Sequence, residues 1–117
     1  MNLLEATVFG VSEGRVALSA GMLRFDAETD AAPVPGSIVT AAIRPEDIVV
    51  GPAPGEGEGS ARLTGTVFHG RLLRLHLALD DGTELLVDTA RKGVALDLAP
   101  GTRLAVTVRP GAARIPR

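Results

Sequence analysis

The segment PGSIVTAAIRP at positions 35–45 returns as PGTRLAVTVRP at positions 100–110. Each copy opens on Pro-Gly, alternates side chains of two kinds, and ends on Arg-Pro. Proline fixes φ, glycine permits the turn before the strand, and a proline after the last residue ends a hydrogen-bonded ladder because it has no N–H to donate. The repeat therefore reads as one strand, launched and stopped at defined points, written twice. In the first copy Val39, Ala41 and Ile43 oppose Ile38, Thr40 and Ala42; in the second Leu104, Val106 and Val108 oppose Arg103, Ala105 and Thr107. That period of two belongs to a strand with one covered face.

A second likeness lies upstream, where ATVFG at 6–10 answers GTVFHG at 65–70. The offset is 59 there and 65 at the Pro-Gly segments, so the second copy is expected to be six residues longer inside. Between these landmarks each copy holds a hairpin. In the first, Val16 and Leu18 alternate with Arg15, Ala17 and Ser19 before Ala20-Gly21 turns into MLRFDAE; in the second, Leu73, Leu75, Leu77 and Leu79 alternate with Arg74, His76 and Ala78. Asp81-Gly82 follows, the dipeptide favoured in two-residue hairpin turns that need positive φ. Fourteen Gly and eight Pro are too many for a helix bundle. The chain is thus expected to be all-β, a duplicated pair of small barrel units of the OB-like or SH3-like kind, packed together or sharing strands, because closure removes exposed sheet edges. The copies span 1–50 and 60–117 of a single module, joined by the Gly/Pro-rich link GPAPGEGEG at 51–59.

Composition removes several kinds of chemistry. The chain has no cysteine, hence no disulfide, thiolate nucleophile or thiolate metal site, as in a reducing compartment. His69 and His76 lack metal-ligand spacing; His76 belongs to a polar strand face beside Arg74, and His69 to a bend before Gly70. There is no GxxxxGK[ST] loop and Lys92 is the only lysine, so this stretch cannot hydrolyse ATP. Single-strand nucleic-acid binders combine a basic groove with stacking aromatics, whereas this chain has three Phe, no Tyr or Trp, and a net charge of −2. Phe9 and Phe68 sit at apolar strand ends, where core packing is their expected role. Residues 1–59 hold three Arg and nine acids, and residues 60–117 nine basic residues and five acids, so the halves carry about −6 and +4 and could attract one another. No stretch reaches the roughly 20 apolar residues that span a bilayer, and no secretion signal opens the chain, so neither membrane insertion nor export is expected.

The stretch AAIRPEDIVVG at 41–51 resembles the hallmark of the TOBE (transport-associated OB) domain, found at the C-terminus of ATPase subunits of bacterial ABC importers. NLLEATV at 2–8 is similar to the linker leading into that domain, LDDGTELLV at 79–87 to its second-half hairpin, and LAPGTRLAVTVRP at 98–110 to its closing strand. At Val67 and Phe68 the chain departs from the family, which carries a longer strand before its aromatic-x-Gly turn. The resemblance implies a non-catalytic regulatory and dimerisation domain of an importer ATP-binding subunit, serving uptake of polyamines, ferric iron, sugars or phosphonates. It implies ATP and Mg only in a nucleotide-binding domain outside this stretch, with no cofactor, catalytic residue or metal here. Its partners would be the ATPase domain, the transporter subunits and a second copy in a homodimer, in the cytoplasm at the inner membrane. Arg44, Pro45, Glu46 and Asp47 match the hallmark residue by residue. The expected role is structural, with Pro45 setting the direction in which the chain leaves the first unit and Arg44 paired to a carboxylate; the alternative is contact with a partner subunit.

A second function remains open. Related barrel modules bind molybdate or tungstate, and Ser60-Ala61-Arg62 with Thr89 to Lys92 resembles parts of their pattern. Ser60, Arg62, Thr89 and Lys92, with backbone amides, are the residue types that cradle a small oxyanion.

Overall fold

The computed structural model describes residues 1–21, 23–29, 33–52, 60–90 and 99–115. Ten strands carry the fold: β1 Asn2–Ser12, β2 Arg15–Ala20, β3 Leu23–Glu28, β4 Ile38–Ile43, β5 Ile48–Pro52, β6 Ser60–His69, β7 Leu72–Ala78, β8 Glu84–Ala90, β9 Arg103–Val108 and β10 Ala113–Arg114. A single 3-10 turn, Pro45–Asp47, separates β4 from β5. Among the described residues no helix is long and apolar enough to cross a membrane.

The first five strands in space close a barrel in the order β1, β2, β3, β10, β4, with β4 returning to β1. The other five form a sheet in the order β5, β9, β6, β7, β8. Alternation drives both. Leu4, Ala6 and Val8 of β1 point inward while Leu3, Glu5 and Thr7 point out, and Leu73, Leu75 and Leu77 of β7 are buried between half-buried Arg74, His76 and Ala78. One apolar cluster runs from Leu4 to Ala113 through both units. The segment 2–8, similar to a linker in sequence, is a barrel strand paired on both sides.

The two units repeat their hydrogen bonds closely. Val34-Pro35-Gly36-Ser37 is a type II turn, with Ser37 N–H donating to Val34 O at 3.0 Å and Gly36 at φ +89°. Thr102 N–H donates to Ala99 O at 3.2 Å over Pro100-Gly101, with Gly101 at φ +92°. The hydroxyls of Ser37 and Thr102 donate to the same two carbonyls at 2.6 and 2.7 Å. Each turn then docks on the opening strand: Val8 N–H donates to Ser37 O at 2.9 Å, and Leu63 N–H to Thr102 O at 2.8 Å. Each opening strand bulges just beyond, between Val8 and Gly10 and between Leu63 and Gly65.

These bonds correct the sequence alignment of the opening strands. Val8 is the counterpart of Leu63, not of Val67, so the copies are offset by 55 residues here. The TVF likeness at Phe68 is a coincidence of composition: Val8 is fully buried, whereas Val67 is 41% exposed, in the part of β6 beyond its pairing with β9. Phe9 and Phe68, expected in the core, are instead 52% and 54% exposed, and the phenylalanine that packs there is Phe25. At the next turn, Leu79 N–H donates to Thr83 O and Gly82 N–H to Leu79 O, at 2.8 and 2.9 Å, with Gly82 at φ +89°. The loop holds three residues, a type I turn completed by a left-handed glycine, rather than the two expected.

The units also exchange strands. After Arg44 the chain turns through Pro45–Asp47 and enters β5, which lies beside β9 in the second sheet. After Arg109 it turns at Pro110-Gly111 and enters β10, parallel to β3 and antiparallel to β4 in the first barrel. The two Arg-Pro signals are therefore crossing points. Asp47 N–H donates to Arg44 O at 3.0 Å and Ala112 N–H to Arg109 O at 3.1 Å, through a 3-10 turn at the first crossing and a turn with left-handed Gly111 (φ +77°) at the second, and Arg109 N–H donates to Asp47 O at 2.9 Å, joining the crossings.

Candidate functional site

At the first crossing Arg44 is extended, with φ −72° and ψ 143°, as a residue before proline must be. Pro45 is buried, Glu46 is exposed and Asp47 half-buried. The 3-10 turn packs against β8. Arg44 is exposed and forms no ion pair among the described residues, so direction here comes from Pro45 and the backbone bonds of Asp47, not from the expected pairing of Arg44.

Beside this turn Arg74 of β7 faces Asp88 of β8 across the ladder. Its Nε and Nη2 donate to the two carboxylate oxygens at 2.8 and 2.9 Å, a bidentate pair. The hydrogen bond from Arg74 holds the Asp88 carboxyl below its ordinary range, against the opposing effect of burial. The Arg74 guanidinium is in turn held more firmly charged, chiefly by that hydrogen bond, with Glu46 adding a smaller attraction. Both groups are committed to one another. Among the described residues no three His, Asp or Glu side chains gather as a metal site.

Among the described residues, the oxyanion candidates Arg62 and Thr89 do not converge within one chain. Arg62 lies on β6 opposite Ala78 and Arg103, near the turn that joins β7 to β8. Its neighbours Ala61 and Leu63 point inward, so Arg62 is on the outer face and exposed. Thr89 shares the inward parity of Leu85 and Val87 and lies opposite Leu73, at the other end of β8. Ala78 pairs with Glu84 at the near end. Five residues from Glu84 to Thr89 span about 17 Å of strand. Ser60 enters β6 opposite Ala105, and Lys92 lies outside the described residues.

Among the described residues, two of the shallow clefts bear on these elements. One, of about 420 Å³, lies between Glu13, Arg15, Glu28, Thr29 and Arg114, where Arg114 and Glu28 approach to 3.8 Å. That contact is the one ion pair joining the acidic and basic halves among those resolved, and it is exposed; Arg74–Asp88 and Arg103–Asp80 both lie within the second half. The other cleft, of about 300 Å³, lies at the second crossing between Phe9, Arg24, Asp26 and Arg109-Pro110. Sequence reasoning missed Phe9, Arg24 and Arg109 as neighbours, because β1, β3 and the turn after β9 are brought together only by the tertiary fold.

Residues 41–115 match the TOBE domain family. No curated protein sequence matches the chain. Among solved structures the chain is similar to the cytoplasmic molybdate-binding protein ModG in a crystal form with molybdate bound, with a TM-score of 0.78 and 18% identity, covering 98% of this chain and 96% of that one. The likeness is one of fold. It overturns the expected role as a regulatory and dimerisation domain of an importer ATP-binding subunit, since the whole two-unit architecture is shared with a molybdate-binding protein. The oxyanion alternative is the reading it favours.

Proposed function

Because this chain belongs to the TOBE domain family, we propose that it is a non-catalytic module binding a small tetrahedral oxyanion of the molybdate or tungstate class. The observation that carries the reading is the fold likeness to a molybdate-binding protein over 98% of the chain. The presence of Ser60, Arg62, Thr89 and Lys92 supports it, since hydroxyl, guanidinium and ammonium groups are donors suited to a dianion. Arg62 and Thr89 lie at opposite ends of one sheet, so a complete cradle takes Arg62, with Ser60 two residues before it, from one copy and Thr89, with Lys92 three residues after it, from another. The proposed partner is thus a second copy of the chain, in the cytoplasm, with no cofactor beyond the anion and no nucleic acid.

Isothermal titration with molybdate, tungstate and sulfate tests the reading. Saturable heat with molybdate or tungstate is the expected result, and a flat trace with all three removes the proposal. Arg62→Ala and Thr89→Ala should each abolish the heat, while an equimolar mixture regains part of it, because mixed assemblies contain some sites with both halves intact. Full binding by either single variant would exclude the shared cradle.

A further inference from the structure

The two crossings share one backbone hydrogen bond and differ otherwise: Pro45–Asp47 is a 3-10 turn, whereas Gly111 is left-handed at φ +77°. Arg44-Pro45-Glu46-Asp47 at the first becomes Arg109-Pro110-Gly111-Ala112 at the second, at the spacing of the repeat. The first is filled: Pro45 is buried, the turn packs on β8, and the Glu46 carboxylate lies close enough to Arg74 to strengthen its charge. At the second, glycine and alanine follow the proline in place of the two acids, and Arg109 and Pro110 line a cleft of about 300 Å³. Its floor is Phe25 and Val108, which are nearly buried. Phe9 walls one side, projecting from the bulge of β1, and the Arg24 guanidinium lies 5.4 Å from the centre of its ring. Arg109 and Pro110 wall the other side, and the Arg109 guanidinium makes no ion pair among the described residues.

We propose that this cleft binds an organic monoanion, a carboxylate carried on a flat apolar body, whose carboxylate pairs with the Arg109 guanidinium at the cleft wall. A guanidinium presents parallel N–H donors that match a carboxylate in two-point contact. A flat body lies along Phe9 and Pro110, where the exposed ring supplies apolar area and the cation over it fixes its orientation. The volume suits a ligand of one or two rings and is larger than a four-oxygen anion requires. Asp26 also lines the cleft and repels a second negative charge, which selects a monoanion and separates this site from one for molybdate. The site stands independently of the oxyanion reading, since it shares no residue with Ser60, Arg62, Thr89 or Lys92.

Titration of the isotope-labelled full chain with naphthoate, followed by amide NMR, tests the site. The expected result is a saturable shift confined to the amides around Phe9, Arg24, Asp26, Arg109 and Gly111. Arg109→Ala should weaken binding by about ten-fold or more, the effect of one lost charge-assisted contact, with Arg109→Lys between the two. The neutral analogue naphthylmethanol should bind as weakly to the parent chain as naphthoate binds to Arg109→Ala. Arg109 is exposed, so an unchanged thermal midpoint separates lost binding from lost structure. Absence of shifts at millimolar naphthoate, shifts centred elsewhere, or equal affinity for acid and alcohol would each overturn the proposal. Molybdate added at saturation should leave the naphthoate shifts in place; their loss would place both ligands in one site and overturn their separation.

Discussion

Asn2 is only 5% exposed, in a strand whose other inward side chains are Leu4, Ala6 and Val8. Its carboxamide donates from Nδ2 to Leu86 O at 2.8 Å and accepts at Oδ1 from Leu86 N–H at 2.7 Å. Since β8 is an edge of the second sheet, Asn2 supplies the two bonds a neighbouring strand would have made there. Asn2→Ala strands both groups of Leu86 and should lower stability in urea by about 1–3 kcal/mol. Asn2→Asp should fare no better, because a carboxylate has no hydrogen for Leu86 O; an unchanged urea midpoint in either variant would show that water replaces the contact. Asp88 carries a pH signature. Its carboxyl titrates lower when folded than unfolded, because Arg74 donates to the ionised form. It therefore contributes stability that is complete above the unfolded carboxyl's range and is lost as pH falls through its own lower folded value. Urea midpoints measured from neutral to acidic pH should fall less steeply in Asp88→Asn than in the parent.

Among the elements, the Pro-Gly turns show what the sequence discloses and where it stops. Pro35-Gly36 and Pro100-Gly101 name the turn type, the start of β4 and β9, and the face each strand buries, because all three follow from φ limits and a period of two within a few residues. Arg-Pro likewise marks where both strands end. The strand that receives the chain afterwards is not legible, since β5 meets β9 some 60 residues onward and β10 meets β3 some 85 residues back. The opening-strand register misleads for a related reason. Ten residues separate the paired Val8 and Leu18 but fourteen separate Leu63 and Leu77, so the second hairpin is longer and a chance TVF match masks the shift. The candidate anion residues could be named by chemical type, yet the placement of Arg62 and Thr89 at opposite ends of the sheet is a property of register alone. A substitution tests the turns. A Cβ on Gly36 or Gly101 would meet no atom within 4 Å, so alanine there is opposed by the backbone and not by space. At φ +89° and +92° each change should cost about 1–2 kcal/mol, and nearly equally, because the two turns make the same bonds. Thermal melts of the two single variants check this, and a large inequality would deny the equivalence of the units.

At the scale of the whole molecule, reciprocal exchange makes each unit depend on the other. The first barrel needs β10, with fully buried Ala113, to bridge β3 and β4; the second sheet needs β5, which brings Ile48 into the core at 3% exposure and Val50 against it. Burying one side chain such as Ile48 contributes about 1.5–3 kcal/mol, a large share of the stability of a unit this small. Hydrogen bonding adds to the loss, for without β10 the facing edges of β3 and β4 are open, and without β5 the outer edge of β9 is open. The exchange also carries the Arg109 N–H to Asp47 O bond and the Asn2 contact to Leu86, both of which join the halves. Two independent five-stranded barrels would melt separately and survive separation; exchanged ones should do neither. Heating the full chain should accordingly give one transition with coincident signals from amides of β2 and of β7. Expressed apart, residues 1–52 and 60–117 should each lack a cooperative melt, and mixing them in equal amounts should restore the β-sheet circular dichroism and the single transition. Cooperative folding of either fragment alone would show that its own four strands suffice, and that the exchanged strand is an addition to a unit already complete.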